Sequence, residues 1–201
     1  MKNNIFIRVM LATMGLFSLS LFFLVSNVYA YVASGYTRPS GNVSFYLHGA
    51  LVNVGWQGAI DNARSEWNGA GSSFTFSQSG TATRSPSLVQ SSTTDGYNDI
   101  GALSLDLSYV GFTSSVASGT SIIETDTAYN LEKSFDVNPN IYQYDVESVA
   151  VHELGHWLHL DETQSWRCFA SPPSMCGSVS MGSTYMRSIE SDDINGIQYI
   201  Y

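Results

Sequence analysis

The sequence predicts one mixed α/β (α+β) domain, and three observations carry that expectation. Short segments with apolar residues at every second position recur before residue 130, which is the period of half-buried strands. Helical stripes appear around Ile60 and Val151 and again at the C-terminus. A length of 201 residues suits about one domain, and strands interleaved with helices pack as layers around one core.

The first 30 residues stand apart from that domain. Lys2 and Arg8 precede an uncharged apolar run from Val9 to Val25, and Val28-Tyr29-Ala30 has the small-residue pattern of a cleavage site. This is the layout of a secretory signal peptide cleaved after Ala30, leaving a single domain over 31–201. The run over 9–25 approaches the length that spans a bilayer, so an uncleaved N-terminal anchor is the alternative.

Asn42 to Leu47 alternates, with Val43, Phe45 and Leu47 on one face, as a first strand. Trp56, Ile60, Ala63 and Trp67 form one stripe of a helix that Gly69 and Gly71 stop. Phe74 and Phe76 alternate as a second strand, and Ser77 to Asn98, rich in Ser, Thr and Gly, is read as mostly loop. Leu103, Leu105, Leu107 and Tyr109 again show a strand period, and Ile122 to Tyr129 is a further strand. Asp145 is a good N-cap for the next helix, with Glu147 in its first turn. Thr163 to Tyr185 contains Pro172, Pro173 and several glycines and is irregular. Ser191 is expected to cap a last helix with Ile194, Ile197 and Tyr201 as its apolar face.

Charge excludes some functions. Of eight basic residues, Lys2 and Arg8 lie in the leader, so six face 17 acidic ones in the domain. No basic footprint for nucleic acid is present, and anionic membrane surfaces repel such a chain. Cys168 and Cys176, the two cysteines, are expected to form a disulfide in an exported protein.

The chemistry is concentrated in VAVHELGHWLHLDET, residues 149–163. His152 and His156 are four apart, so a helix projects both imidazoles from one face, spaced to share a zinc ion. Glu153 is placed to act on a metal-activated water as general base. The alternative is a core helix whose histidines only hydrogen-bond, but two histidines and a glutamate are expensive to bury without a partner. A catalytic zinc site needs a third protein ligand. His48 lies beside the first strand, and a lone strand-end histidine is more often structural. His159, if the helix continued, would sit roughly 10 Å along the axis from His152, too far to share its ion. Glu162 and Asp161 remain, or no local ligand at all.

The segment from Ser148 to Leu158 resembles the active-site helix of the matrixin branch of metzincin zinc proteases, whose motif is H-E-x-x-H-x-x-G-x-x-H. The ending SIESDDINGIQYIY is similar to the matrixin C-terminal helix, and IIETDTAYN resembles bacterial matrixin-like segments. The likeness implies a twisted mixed β-sheet with an active-site helix, a backing helix and a C-terminal helix. It implies a secreted, monomeric zinc endopeptidase acting on extended polypeptides. Two positions depart from the motif. His159 replaces the turn glycine, and histidine visits the left-handed region more readily than most residues. Glu162 replaces the third histidine in strict register, with Asp161 the fallback, and a carboxylate binds zinc. The alternative function is a non-catalytic matrixin-fold binding or adhesion module with a degraded third ligand.

The likeness further implies a methionine beneath the zinc, for which Met175 is the candidate and Met181 the fallback. It places residues after Met175 along a specificity pocket and makes Tyr109 to Thr113 an edge strand that pairs with substrate. Structural calcium is implied too, with Glu124 and Asp126 as possible oxygen ligands. The family's propeptide cysteine has no counterpart, since both cysteines follow the site. The leader reading has a direct check: N-terminal sequencing of the exported protein is expected to begin at Tyr31, and a start within residues 1–30 would favour the anchor.

Overall fold

The computed structural model describes residues 32–88, 94–163, 168 and 172–201. The expected leader over 1–30 lies outside them. No described helix is long and apolar enough to cross a membrane.

The scaffold is a five-stranded mixed sheet. Strand β1 (Val32–Ala33) lies outside it, paired antiparallel with β9 (Leu160–Asp161). The sheet contains β2 (Asn42–His48), β3 (Thr75–Ala82), β4 (Asp99–Leu103), β5 (Gly111–Ser118) and β6 (Ser121–Asn130) in the order β3-β2-β4-β6-β5. All neighbours run parallel except β5, which closes one edge antiparallel to β6. Helices α1 (Gly49–Asn53) and α2 (Gln57–Asn68) make the crossover from β2 to β3. The short pair β7 (Phe135–Asp136) and β8 (Tyr144–Asp145) leads into α3 (Val146–Trp157), and α4 (Ser191–Ile200) closes the chain.

The core lies where α2 and α3 pack together over one sheet face. Val43, Phe45 and Leu47 of β2 point into it, as their alternation predicts, while Asn42 and Ser44 face outward. Ile60, Ala63 and Trp67 supply the buried stripe of α2. The indole of Trp67 is fully buried and donates to the carbonyl oxygen of Val151 at 2.8 Å, which joins the two helices. Trp157 at the end of α3 meets Phe45 and Phe76 edge-on, with ring centroids 6.0 and 6.3 Å apart.

Four readings need correction. Of the apolar alternation from Leu103 to Tyr109 only Leu103 lies in a strand; Leu107 and Tyr109 are exposed, and the segment from Ser104 on is a turn held by buried Asn130. The real strand, β4, ends at Leu103. It sits centrally between two parallel neighbours, where both faces are covered and alternation is lost. Ser77 to Ala82 is not loop but the continuation of β3, an edge strand whose outward residues are polar. Glu190, not Ser191, is the N-cap of α4: its carboxylate accepts from the Asp193 N–H while Asp193 accepts from the Glu190 N–H, a reciprocal box. Finally, β5 starts at Gly111, so Tyr109 precedes the edge strand.

Beneath the sheet edge, burial pushes the Asp126 carboxyl up to about 7, although it accepts a 2.9 Å hydrogen bond from the Asp99 N–H. The folded protein therefore holds a proton on Asp126 between about pH 4 and 7 that the unfolded chain has released. This group's contribution to stability falls as pH rises through that window. Asp126→Asn keeps an acceptor for the Asp99 N–H and removes the titration. Urea unfolding in chelator is expected to show the wild type losing stability relative to the variant from pH 4 to 7; parallel pH profiles would contradict this.

Candidate metal centre

The site is built on α3. Asp145 ends β8 in extended conformation, and its carboxylate accepts from the Ser148 N–H at 2.8 Å, starting the helix. Arg187 reaches the same buried carboxylate through Nε at 3.0 Å and Nη2 at 2.6 Å, so the cap is held at both oxygens. One turn apart on this helix, His152 and His156 face each other with ring centroids 4.7 Å apart.

Both rings are oriented by backbone carbonyls. His152 Nδ1 lies 2.7 Å from the Ser174 oxygen and His156 Nδ1 lies 2.9 Å from the Leu160 oxygen. A carbonyl only accepts, so each Nδ1 carries hydrogen, which leaves Nε2 as the nitrogen of each ring that can ligate a metal. Burial, with His156 adding to it, pushes His152 down to about 3, which keeps it neutral. The two Nε2 atoms are 3.2 Å apart and cannot bond to each other without a proton. Two nitrogens at about 2.0 to 2.1 Å from one tetrahedral ion would be roughly 3.3 Å apart. A carboxylate oxygen of Glu162 completes a group whose ligand atoms all lie within 4.8 Å of one another. Two converging lone pairs and a carboxylate fit a divalent zinc ion.

The glutamate arrives through a reversal of the chain. Helix α3 ends at Trp157, and His159 has φ of +64°, the one left-handed non-glycine among the described residues. Its ring is buried, lies 3.2 Å from Ser34 Oγ through Nδ1, and is pushed down to about 4 by burial and by Arg38. The Ser34 N–H donates to the His159 oxygen at 3.1 Å, extending the β1–β9 pairing. The turn sends Leu160 back to meet His156 and brings Glu162 over Gly177, where an added Cβ would collide with the carboxylate. Asp161 is exposed on β9 and lies outside the ligand group. His48 caps α1 by accepting from the Ala50 N–H.

Beneath the helix, Met175 is buried against Gly155, where a Cβ would collide with its sulfur. Met181 is half exposed. The Met175 oxygen accepts from the Thr163 N–H at 2.7 Å, and Cys168 and Cys176 form the expected disulfide. Asp193 of α4 accepts from the Ser174 N–H at 2.8 Å, so the C-terminal helix steadies the carbonyl that holds His152. Glu124 and Asp126 are buried and take backbone N–H donors from Asp95, Gly96 and Asp99.

Glu153 is buried beside the histidines, its pKa raised by desolvation and pulled back by His156 and by a 2.6 Å hydrogen bond from Thr113. Gly111 lets the carboxylate lie against β5, since a Cβ there would stand 2.5 Å from Oε1. Two cavities, of about 340 and 330 Å³, are both lined by His152, Glu153 and Glu162. Sequence reasoning set Gly111, Thr113 and Gly177 along the cleft but missed their contacts with Glu153 and Glu162, and it missed the Ser174 and Leu160 carbonyls. The carbonyls leave no trace in side-chain identity; the glycines stand next to residues already singled out.

If Glu162 is the third ligand, Glu162→Ala lowers zinc affinity by at least roughly 100-fold, while Asp161→Ala changes it less than about threefold. Competition with a chelating dye measures both. Equal retention by the two variants would remove Glu162 from the set.

No curated protein matches the chain. A solved structure described as the GM1-bound form of the ECX AB5 holotoxin shares the fold, with a TM-score of 0.51 at 10% identity over 85% of this chain and 84% of that one. The family model described as matrixin matches residues 57–201, which contain α3, its histidines, Glu162 and the C-terminal helix. The chain belongs to the matrixin family of zinc metallopeptidases.

Proposed function

We propose that this protein is a secreted zinc endopeptidase that cleaves extended polypeptides. The observation that carries the reading is the convergence of His152 Nε2, His156 Nε2 and Glu162 beside buried Glu153. Zinc bound there supplies Lewis acidity that polarises the scissile carbonyl and acidifies water. Glu153 takes the proton of the attacking water and passes it to the leaving amine. The hydrogen bonds from His152 to Ser174 and from His156 to Leu160 hold the two rings in the tautomer a metal needs. Met175 packs under the helix turn that carries both ligands and supports their spacing.

Strand β5 is the sheet edge next to Glu153, and its Gly111 and Thr113 touch that residue. An extended peptide laid along this edge gains backbone hydrogen bonds and brings its carbonyl to the site. The disulfide is compatible with an oxidising, extracellular setting. Glu153→Ala is expected to lower kcat for a casein-type substrate by roughly 10²- to 10⁴-fold while stoichiometric zinc stays bound. Unchanged hydrolysis would remove Glu153 as base. Zinc binding without any chelator-sensitive hydrolysis by the wild type would favour the binding module.

A further inference from the structure

A hydrogen-bond circuit runs from α3 through two strands and back to α3. The Trp157 indole Nε1 donates to Thr127 Oγ1 at 2.7 Å, and Thr127 Oγ1 lies 2.6 Å from Thr113 Oγ1. Thr113 Oγ1 in turn lies 2.6 Å from Glu153 Oε2. The topology accounts for each link. Thr113 and Thr127 are directly opposed partners on β5 and β6, and Glu153 and Trp157 are one turn apart on one face of α3.

The chemistry of the two ends sets the direction of every bond. An indole N–H can only donate and an ionised carboxylate can only accept. Thr113 must spend its single hydroxyl hydrogen on Glu153, so Thr127 must donate to Thr113 while accepting from Trp157. With Trp157 and Thr127 buried, water cannot substitute for these partners, and bonds in such a chain strengthen one another. Only Oε2 of Glu153 is engaged in this way. Oε1 lies against Gly111, and Gly111 and Glu153 line both cavities.

We infer that Thr113 is a positioning residue for peptide hydrolysis: its hydroxyl, oriented by Thr127 and Trp157, commits Glu153 Oε2 to the protein and leaves Oε1 to receive the proton of the attacking water. This rests on Glu153 being the general base. Thr113→Val keeps the shape and removes the hydroxyl, whereas Thr113→Ser keeps the hydroxyl. On the zinc-loaded protein, the valine variant is expected to lose about 10- to 100-fold in kcat with KM within about twofold and zinc stoichiometry unchanged. The serine variant is expected to recover to within about threefold of wild type. Unchanged kcat in Thr113→Val, or equal impairment of both variants, would overturn the assignment. Should the valine variant fail to fold, Thr127→Val decides: a smaller fall in kcat at constant KM supports the circuit, and wild-type kcat overturns it. Glu153→Ala is assayed alongside. An active Glu153→Ala means the general-base reading has failed, whereas an inactive Glu153→Ala beside a fully active Thr113→Val sinks the positioning role alone.

Discussion

The site depends on a reversal of the chain immediately after α3. A helix can present His152 and His156 on one face, but continuing it would carry the next residues away along the axis. Left-handed backbone at His159 turns the chain within one residue. From that turn follow the Leu160 carbonyl that orients His156, the β9 pairing with β1, and the approach of Glu162 to the two imidazoles. A side chain in this conformation is disfavoured relative to glycine. The buried imidazole is held through its Nδ1 contact with Ser34, so the N-terminal segment takes part in shaping the centre.

The rest of the molecule holds the two ligand-bearing stretches in register. Asp145 and Arg187 start α3, Trp67 ties it to α2, and Met175 fills the space beneath Gly155. Asp193 connects α4 to the Ser174 carbonyl and through it to His152. Apart from the local Asp145 cap, each is a hydrogen bond or close contact between residues distant in sequence. Of the acidic pair in the last helix, Asp193 performs two tasks that its position in sequence conceals: it completes the cap with Glu190 and accepts from the Ser174 N–H.

Most helices and the outer pattern of the sheet were legible locally. The stripe Ile60-Ala63-Trp67, the cap at Asp145 and the alternation of Val43, Phe45 and Leu47 each follow from one side chain's burial and one period. Reading failed where burial departs from that rule. Strand β4 is covered on both faces and β3 is uncovered along its edge, while Leu105 and Leu107 imitate a strand in a turn.

By itself the sequence pointed to a metal site, because two histidines at helical spacing around a glutamate leave few other economical fates for those groups. For the third position it left two adjacent carboxylates, or no local ligand at all. Only the tertiary structure separated them, since which of Asp161 and Glu162 points at the histidines depends on the exact angle of the His159 turn and on the β1 strand paired beside it. The same holds for the hydroxyl on Glu153. Thr113, Thr127 and Trp157 are ordinary residues in a list, and they become one circuit only when β5, β6 and α3 are packed together.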